Sequence, residues 1–200
     1  MISISKDLQK HASEFLSALQ NNKYEKTDAG IYFPFARAMA SGMYIHDVNG
    51  ADEQCDPNLV VDQGLTYLLG AGLGNASKIT AWYLALFGGG VTPAANWTGA
   101  NFASNASEIT SGTEGYGETT RPIFTPGTAT ANSIDNVASK APFTIVTSSQ
   151  LNITGAGMLS DNVKGSTGGT LVSATRFAST RVLSNGDTFN LGYRVQLTGA

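Results

Sequence analysis

The chain has 200 residues, 42% of them hydrophobic and only 14% charged, and its 12 basic and 15 acidic residues give a net charge of −3. Such a chain lacks the basic surface that binds the phosphates of nucleic acid, so we expect no direct nucleic-acid partner. No run of about 18 apolar residues occurs, so we expect no membrane partner.

The charged residues are unevenly distributed along the chain. Residues 1–64 hold 14 of them, whereas residues 65–200 hold 13 over more than twice the length and also contain 19 of the 23 glycines. This shift predicts an α+β fold with two parts. A helical N-terminal segment spans residues 1–76, and an antiparallel β-sandwich or jelly-roll-like domain spans residues 77–200.

Three helices are predicted in the front part. The first covers residues 6–21, because apolar side chains recur there at helical spacing at Leu8, Ala12, Phe15, Leu16 and Leu19. The second begins at Pro34 and runs through Ala40, and the acidic residues 47–56 that follow are interpreted as a loop. The third runs from residue 57 or 58 to Leu69 and ends at the glycines at 70, 72 and 74.

The remaining elements are predicted to be strands. Residues 79–87 are apolar at nearly every position, which is typical of a strand covered on both faces. Residues 91–120 are interpreted as loop with aromatic anchors, and strands are expected at 121–125, 142–147, 151–155 and 170–175. The last strand alternates, with a core face formed by Phe189, Leu191, Tyr193, Val195 and Leu197. Before it, Asn185-Gly186 predicts a hairpin turn.

The sequence offers few candidates for catalysis. His11 is expected on the flank of the first helix, and His46 in a solvated turn. Cys55 has no basic neighbour that would lower its pKa, and no Gly-x-Ser-x-Gly motif occurs. We therefore predict no catalytic residues and no enzymatic activity. The single cysteine excludes an internal disulfide and, with no secretion signal at the start, favours synthesis in a reducing cytoplasm.

No complete metal-binding or cofactor-binding motif occurs in the sequence. Residues 47–52 resemble the start of a calcium loop, but the glycine needed at its sixth position is Asp52, so an exposed acidic turn is expected. Residues 70–75 miss the dinucleotide fingerprint because Asn75 stands in place of its third glycine. We predict no metal and no cofactor.

Three carboxylates, Glu108, Glu114 and Glu118, lie in a segment that also contains Trp97 and Tyr116. Paired carboxylates beside aromatic rings could describe a site that cleaves sugars. Spacing within a loop gives this interpretation little support, and the alternative is three solvated carboxylates.

The order of several short motifs resembles a pattern found in virion structural proteins of tailed bacteriophages, among them head decoration, head-fibre and tail-associated proteins. The resemblance covers about residues 79–198. The stretches that carry it are Trp82–Phe87, Gly115–Arg121, Asn132–Ile134 leading into Pro142–Ile145, Gly168–Leu171 and Asn185–Phe189. The resemblance implies no catalytic residues.

The resulting hypothesis is a decoration or cement protein on the outer surface of a virion capsid. Its partners would be the lattice of the major capsid protein and further copies of the chain, as a dimer or trimer. Candidate contact residues are the apolar and aromatic residues of the front, Leu8, Phe15, Leu19, Tyr32, Phe33 and Phe35, which could instead be ordinary core. The alternative is a tail or head-fibre component that contacts host glycans through exposed Trp97 and Tyr116.

Overall fold

The computed structural model describes residues 38–199, together with residues 16, 17, 20, 25–27 and 30–32. The chain divides into two units, residues 40–197 and residues 1–39 with 198–200. In the smaller unit, β1 (Glu25–Thr27) and β2 (Gly30–Tyr32) form an antiparallel hairpin. The helix predicted over residues 6–21 lies outside the described residues except for residues 16, 17 and 20, so it stays a prediction.

The larger unit is built from two mostly antiparallel sheets and two α-helices. In chain order its elements are β3 (Ala38–Val48), β4 (Ala51–Pro57), β5 (Leu59–Val60), α1 (Asp62–Gly72), β6 (Trp82–Phe87), α2 (Gly99–Ala106), β7 (Gly115–Tyr116), β8 (Ile123–Phe124), β9 (Ser133–Asp135), β10 (Ala141–Val146), β11 (Gln150–Leu159), β12 (Leu171–Ser184) and β13 (Thr188–Gly199). The first sheet has the order β4-β3-β13-β10-β7, with β9 also paired to β13, and the second has the order β5-β12-β11-β6-β8.

The main core fills the space between the two sheets. The first sheet contributes alternate residues of β10 and β13, such as Phe143, Ile145 and Phe189. The second contributes Leu84 of β6 and Ile153 of β11. The facing side chains of two packed sheets make a sandwich-like core, and most of the predicted strands supply its residues.

A second core lies on the other face of the second sheet, beneath the helices. Here Ala85 and Phe87 of β6 meet Trp97 and Phe102 of the α2 region. Because Leu84 and Leu86 point to the first core while Ala85 and Phe87 point to the second, the strand is covered on both faces. This confirms the prediction made for this strand.

Two glycines of β11 make room for the aromatic rings of the second core. A Cβ atom at Gly155 would lie 2.1 Å from Cζ of Phe87, and one at Gly157 would lie 2.6 Å from Cε2 of Phe102. The rings therefore occupy the volume that side chains at these two positions would need. This explains why glycines occupy positions 155 and 157 in the interior of β11.

The front of the larger unit was predicted wrongly. Residues 38–40, expected in a helix, belong to β3, and the acidic residues 47–56, expected in a loop, form most of a β-hairpin through β3 and β4. Asn49 and Gly50, both with positive φ, form its turn. Residues 40–76 therefore belong with the β-domain, and the domain boundary lies near residue 40 instead of residue 76.

The third predicted helix exists as α1, but it begins at Asp62, after the short strand β5. Residues 91–120, expected to be loop, contain α2. Leu197, expected in the core, is 53% exposed. These differences arise because tertiary packing overrides weak local preferences in segments rich in Asn, Ser, Ala and Gly.

The predicted hairpin at Asn185-Gly186 is also wrong. The turn exists, with Gly186 at φ +88, but β12 and β13 belong to different sheets. The Gly186 N–H donates to the carbonyl of Ile145, and the Ile145 N–H donates to the carbonyl of Asp187. The turn is therefore held by β10 and carries the chain from one sheet to the other.

The packing of β11 predicts a specific sensitivity. We expect Gly157→Ala to lower the free energy of unfolding by about 1–3 kcal/mol, because the added methyl group overpacks the Phe102 ring. The control is Gly112→Ala, since a Cβ at Gly112 would meet no atom within 4 Å. Urea unfolding followed by fluorescence measures both, and equal stability of the two variants would contradict the close contact.

Candidate functional site

His46 is the only histidine among the described residues, and it is fully buried between the sheets. Its Nε2 atom lies 2.9 Å from Oδ2 of Asp56 on the neighbouring strand β4. Its ring packs against Phe177 and Phe189, with centroid distances of 4.1 Å and 5.3 Å. The expected solvated turn is therefore wrong, because β3 continues through this position and carries the side chain into the core.

An irregularity in β12 completes the surroundings of His46. Ile153 pairs with Arg181 and Gly155 pairs with Arg176, so one residue of β11 faces four residues of β12. This bulge turns Phe177 inward onto the His46 ring. It also directs the Ala178 N–H to Oδ1 of Asp56, at 2.6 Å. Both oxygens of the buried Asp56 carboxylate are thus hydrogen-bonded, which offsets the cost of burying them.

Burial lowers the pKa of His46 and outweighs the hydrogen bond to Asp56, which raises it. The ring is therefore neutral at pH 7, and its Nε2–H donates to the Asp56 carboxylate. The Nδ1 atom is buried and has no hydrogen-bond partner among the described residues. Protonation would place a second N–H there without an acceptor, which explains why the charged form is disfavoured.

Ion pairs surround this buried pair. Arg181 donates to Oδ2 of Asp52 at 2.8 Å and to its carbonyl at 3.0 Å. Lys140 donates to Asp47 at 2.7 Å and to Glu53 at 2.5 Å. The acidic hairpin is thus fastened to two cations from distant segments. Its turn is exposed over residues 49–52, as expected from the sequence, whereas Asp47 is buried.

The pKa values of the Lys140–Asp47 pair follow from these contacts. Burial on its own raises the pKa of Asp47, but hydrogen bonds from Asn190, Lys140 and the Gly50 N–H more than offset it and hold the pKa below the ordinary value. Burial likewise opposes charge on Lys140, but Asp47 and Glu53 raise its pKa overall. Both groups are charged at neutral pH, as in a structural ion pair.

A shallow groove of about 400 Å³ lies beside this cluster on the protein surface. Its lining residues are Val48, Asp52, Gln54, Ser179, Thr180, Arg181 and Val182. His46 is not among them, and its ring has no exposed surface. A general base must reach its substrate directly or through one water, so the His46–Asp56 pair has no route to acid–base chemistry in this arrangement.

The three carboxylates considered for a sugar site are each held by different groups. Glu108 forms a two-pronged ion pair with Arg121, with both N–O distances 2.7 Å and both side chains fully buried. Glu114 accepts hydrogen bonds from Thr147 and Ser148, and Glu118 accepts one from the backbone of Thr144. These contacts fasten loops to strands. In particular, the interpretation of Glu108 as solvated is wrong.

The Arg121 pair also organises the loop between β11 and β12. Nη1 of Arg121 donates to the carbonyl of Asp161, and the Gly165 N–H donates to Glu108. Lys164 from the same loop lies 3.7 Å from the centroid of the Tyr116 ring. Burial, followed by the nearby charge of Glu108, raises the pKa of Tyr116 far above its ordinary value, so the phenol stays neutral.

The two aromatic residues predicted to be exposed are buried. Trp97 is 3% exposed and Tyr116 has no exposed surface. Trp97 packs edge to face with Phe87 and Phe102 in the second core, and Tyr116 packs with Phe143 in the first. The prediction of exposed stacking platforms is therefore wrong. The candidate contacts Leu8, Phe15, Leu19, Phe33 and Phe35, and the side chain of Tyr32, lie outside the described residues, as does His11.

Other features can be stated for the described part of the chain. Cys55 is exposed. Within the described residues, no group of three or more His, Cys, Asp or Glu side chains is placed to hold a metal ion. No described helix is long and apolar enough to cross a membrane.

A surface on the helical layer that carries few charged residues was not identified from the sequence. Of all the charged residues, only Asp62 and Lys78 lie between residues 57 and 107. Within this segment Leu65 and Leu69 of α1 and Leu73, which directly follows the helix, are 38%, 63% and 89% exposed. A helix was predicted here with no face of it assigned to the core, and in the structure Gly64 is the residue that contacts the sheet, at Val172. We call Leu65, Leu69 and Leu73 the leucine row.

No protein-family model matches the chain, and no curated protein matches it either.

The buried His46 predicts a pH dependence of stability. Its folded pKa is below the unfolded value of about 6.5, so the unfolded chain binds more protons and the free energy of unfolding falls as the pH drops from 7 to 5. His46→Gln keeps an N–H donor for Asp56 but does not titrate, so this slope should become smaller. Denaturant unfolding at several pH values measures it, and an equal slope in both proteins would contradict the assignment.

Burial of the Glu108–Arg121 pair predicts a large loss of stability when the charge of Glu108 is removed. Glu108→Gln leaves the Arg121 charge buried without its partner, so we expect a loss of about 3–5 kcal/mol. The matched control is Asp135→Asn, whose partner Arg194 is 40% exposed and whose ion pair should contribute less than about 1 kcal/mol. Thermal or urea unfolding compares the two variants, and similar losses would show that burial does not set the strength of these pairs.

Proposed function

We propose that the chain is a non-enzymatic structural protein of a bacteriophage virion that binds the outer surface of the capsid as a decoration or cement protein. It would bind the lattice of the major capsid protein, in many copies, and stabilise the shell against internal pressure. The motifs of residues 79–198 that resemble phage virion proteins support this proposal.

The observation that carries the proposal is the contrast between the interior and the helical face. The titratable groups considered for catalysis, at His46 and Glu108, are engaged in buried internal pairs. The helical layer, in contrast, presents a surface with exposed leucines and only two charged residues, Asp62 and Lys78. Exposed apolar surface of this kind is typical of protein–protein contact. Modest contacts are sufficient on a lattice, because many equivalent sites add up through multivalency.

The alternative, a tail or head-fibre component that contacts glycans, has lost the feature that favoured it. Stacking on a sugar requires an exposed ring, and both Trp97 and Tyr116 are buried.

The test is to mix the full chain with capsids assembled from the major capsid protein of the phage that encodes it. We expect saturable co-sedimentation with hundreds of copies per capsid, and decorated capsids that open at a higher temperature than bare ones. Binding of only a few copies, or none, would contradict the decoration role.

The contribution of the front is tested separately. A variant that lacks residues 1–30 should lose capsid binding if Leu8, Phe15 and Leu19 provide the anchor. Its near-ultraviolet circular dichroism must match that of the full chain, to show that the β-domain is intact. Full binding by the shortened chain would assign the capsid contact to the β-domain instead.

A further inference from the structure

The leucine row lies on the side of α1 that faces away from the sheet. Leu65, Leu69 and Leu73 are spaced by four residues and share one helix face, which is turned by about 100–180° from Gly64 around the helix axis. A Cβ at Gly64 would lie 2.4 Å from the carbonyl oxygen of Val172, so this side of the helix is pressed against β12. The row is therefore an apolar face without a partner among the described residues of the 40–197 unit.

We propose that the leucine row packs against the same row of a second copy of this chain, with the two α1 helices antiparallel across a two-fold axis near Leu69. This deepens the proposed function, on which it rests, by naming the surface through which copies associate. In such a pair Leu65 of one copy meets Leu73 of the other.

The charge pattern favours a second copy as the occupant. In a two-fold contact the same surface of each copy forms both sides of the interface. A charged side chain near the axis would therefore lie close to the same charge of the other copy, or would be buried in the interface. The face that surrounds the row carries only Asp62 and Lys78, whereas β4 alone carries three carboxylates. A self-contact is therefore free of the repulsion that it would meet at the acidic hairpin.

The position of Asp62 favours the antiparallel orientation. Asp62 precedes Leu65 by three residues and so lies at the N-terminal end of the same helix face. In a parallel pair the two carboxylates would lie side by side. In an antiparallel pair centred on Leu69, they are about 20 Å apart, from the helical rise of about 1.5 Å per residue, and the helix dipoles also oppose each other favourably.

The available surface sets the expected strength. Residues 71–78, which include Leu73 and extend past it, are exposed throughout. Together with the exposed side of α1, they give about 13 residues per copy, which at roughly 40 Å² each bury about 1,000 Å² in total, the lower limit for a specific interface. We therefore expect a weak dimer with a dissociation constant in the micromolar range, which strengthens when copies are concentrated on a capsid.

Sedimentation velocity of the full chain from a few micromolar to several hundred micromolar tests the association. We expect a shift from monomer to dimer that Leu69→Lys weakens at least tenfold. Val163→Lys is the control, because Val163 is 55% exposed but lies outside residues 57–107. A wild-type chain that stays monomeric, or a Leu69→Lys variant that associates as the control does, overturns the proposal.

Cross-linking tests the orientation in a Cys55→Ser background, because Cys55 is itself exposed. With a short bis-maleimide, Leu69→Cys should cross-link to itself, and Leu65→Cys should cross-link to Leu73→Cys when the two proteins are mixed. Self-cross-linking of Leu65→Cys without the mixed product would overturn the antiparallel arrangement.

These measurements contain no capsids, so failure of the dimer and failure of decoration are distinguishable. Should Leu69→Lys abolish capsid binding while the wild-type chain is monomeric in solution, the occupant of the row is the capsid surface and the second-copy proposal is wrong.

Discussion

The structure depends on one sheet that is buried on both faces. In β6 every residue from Leu84 to Phe87 is fully buried, with alternate side chains in two different cores. A sheet with two apolar faces needs a cover on each side, since each exposed face would leave several large side chains in water. The first sheet supplies one cover, and the helical layer supplies the other. The glycines of β11 leave space for the aromatic rings that pack between this sheet and the helical layer.

The low number of charged residues is reflected in where those residues lie in the structure. Several charged residues of the β-domain form internal links between segments that are distant in sequence, such as Glu108 to Arg121 and Asp47 to Lys140. Buried pairs of this kind are sensitive to the loss of one partner, so they specify which loop meets which strand. The helical layer has no such links, and its surface is shaped by small and apolar residues.

The sequence predicted the strands well where one physical signal dominated. The alternation in β13 and the continuous apolar run of β6 favoured one interpretation, and both strands lie close to their expected positions. The acidic hairpin was missed because charge was taken as a sign of a loop or helix, although Asn49-Gly50 was a readable turn signal. Burial of His46 and of Trp97 depends on the β12 bulge and on α2, which no local pattern predicts. The spacing of the leucine row does not show which side of α1 faces the sheet. Only the contact of Gly64 with β12 shows this.

The turn at Gly186 has a consequence for how the domain is made. Because it carries the chain into the other sheet, β13 becomes the strand between β3 and β10, although it is synthesised after both of them. On the ribosome, β3 and β10 are complete long before the strand that separates them exists. The first sheet can therefore close only after residues 188–199 have emerged, and the second sheet must wait for this cover with one apolar face open. Such long-range pairing slows folding and extends the time during which an unfinished chain can aggregate.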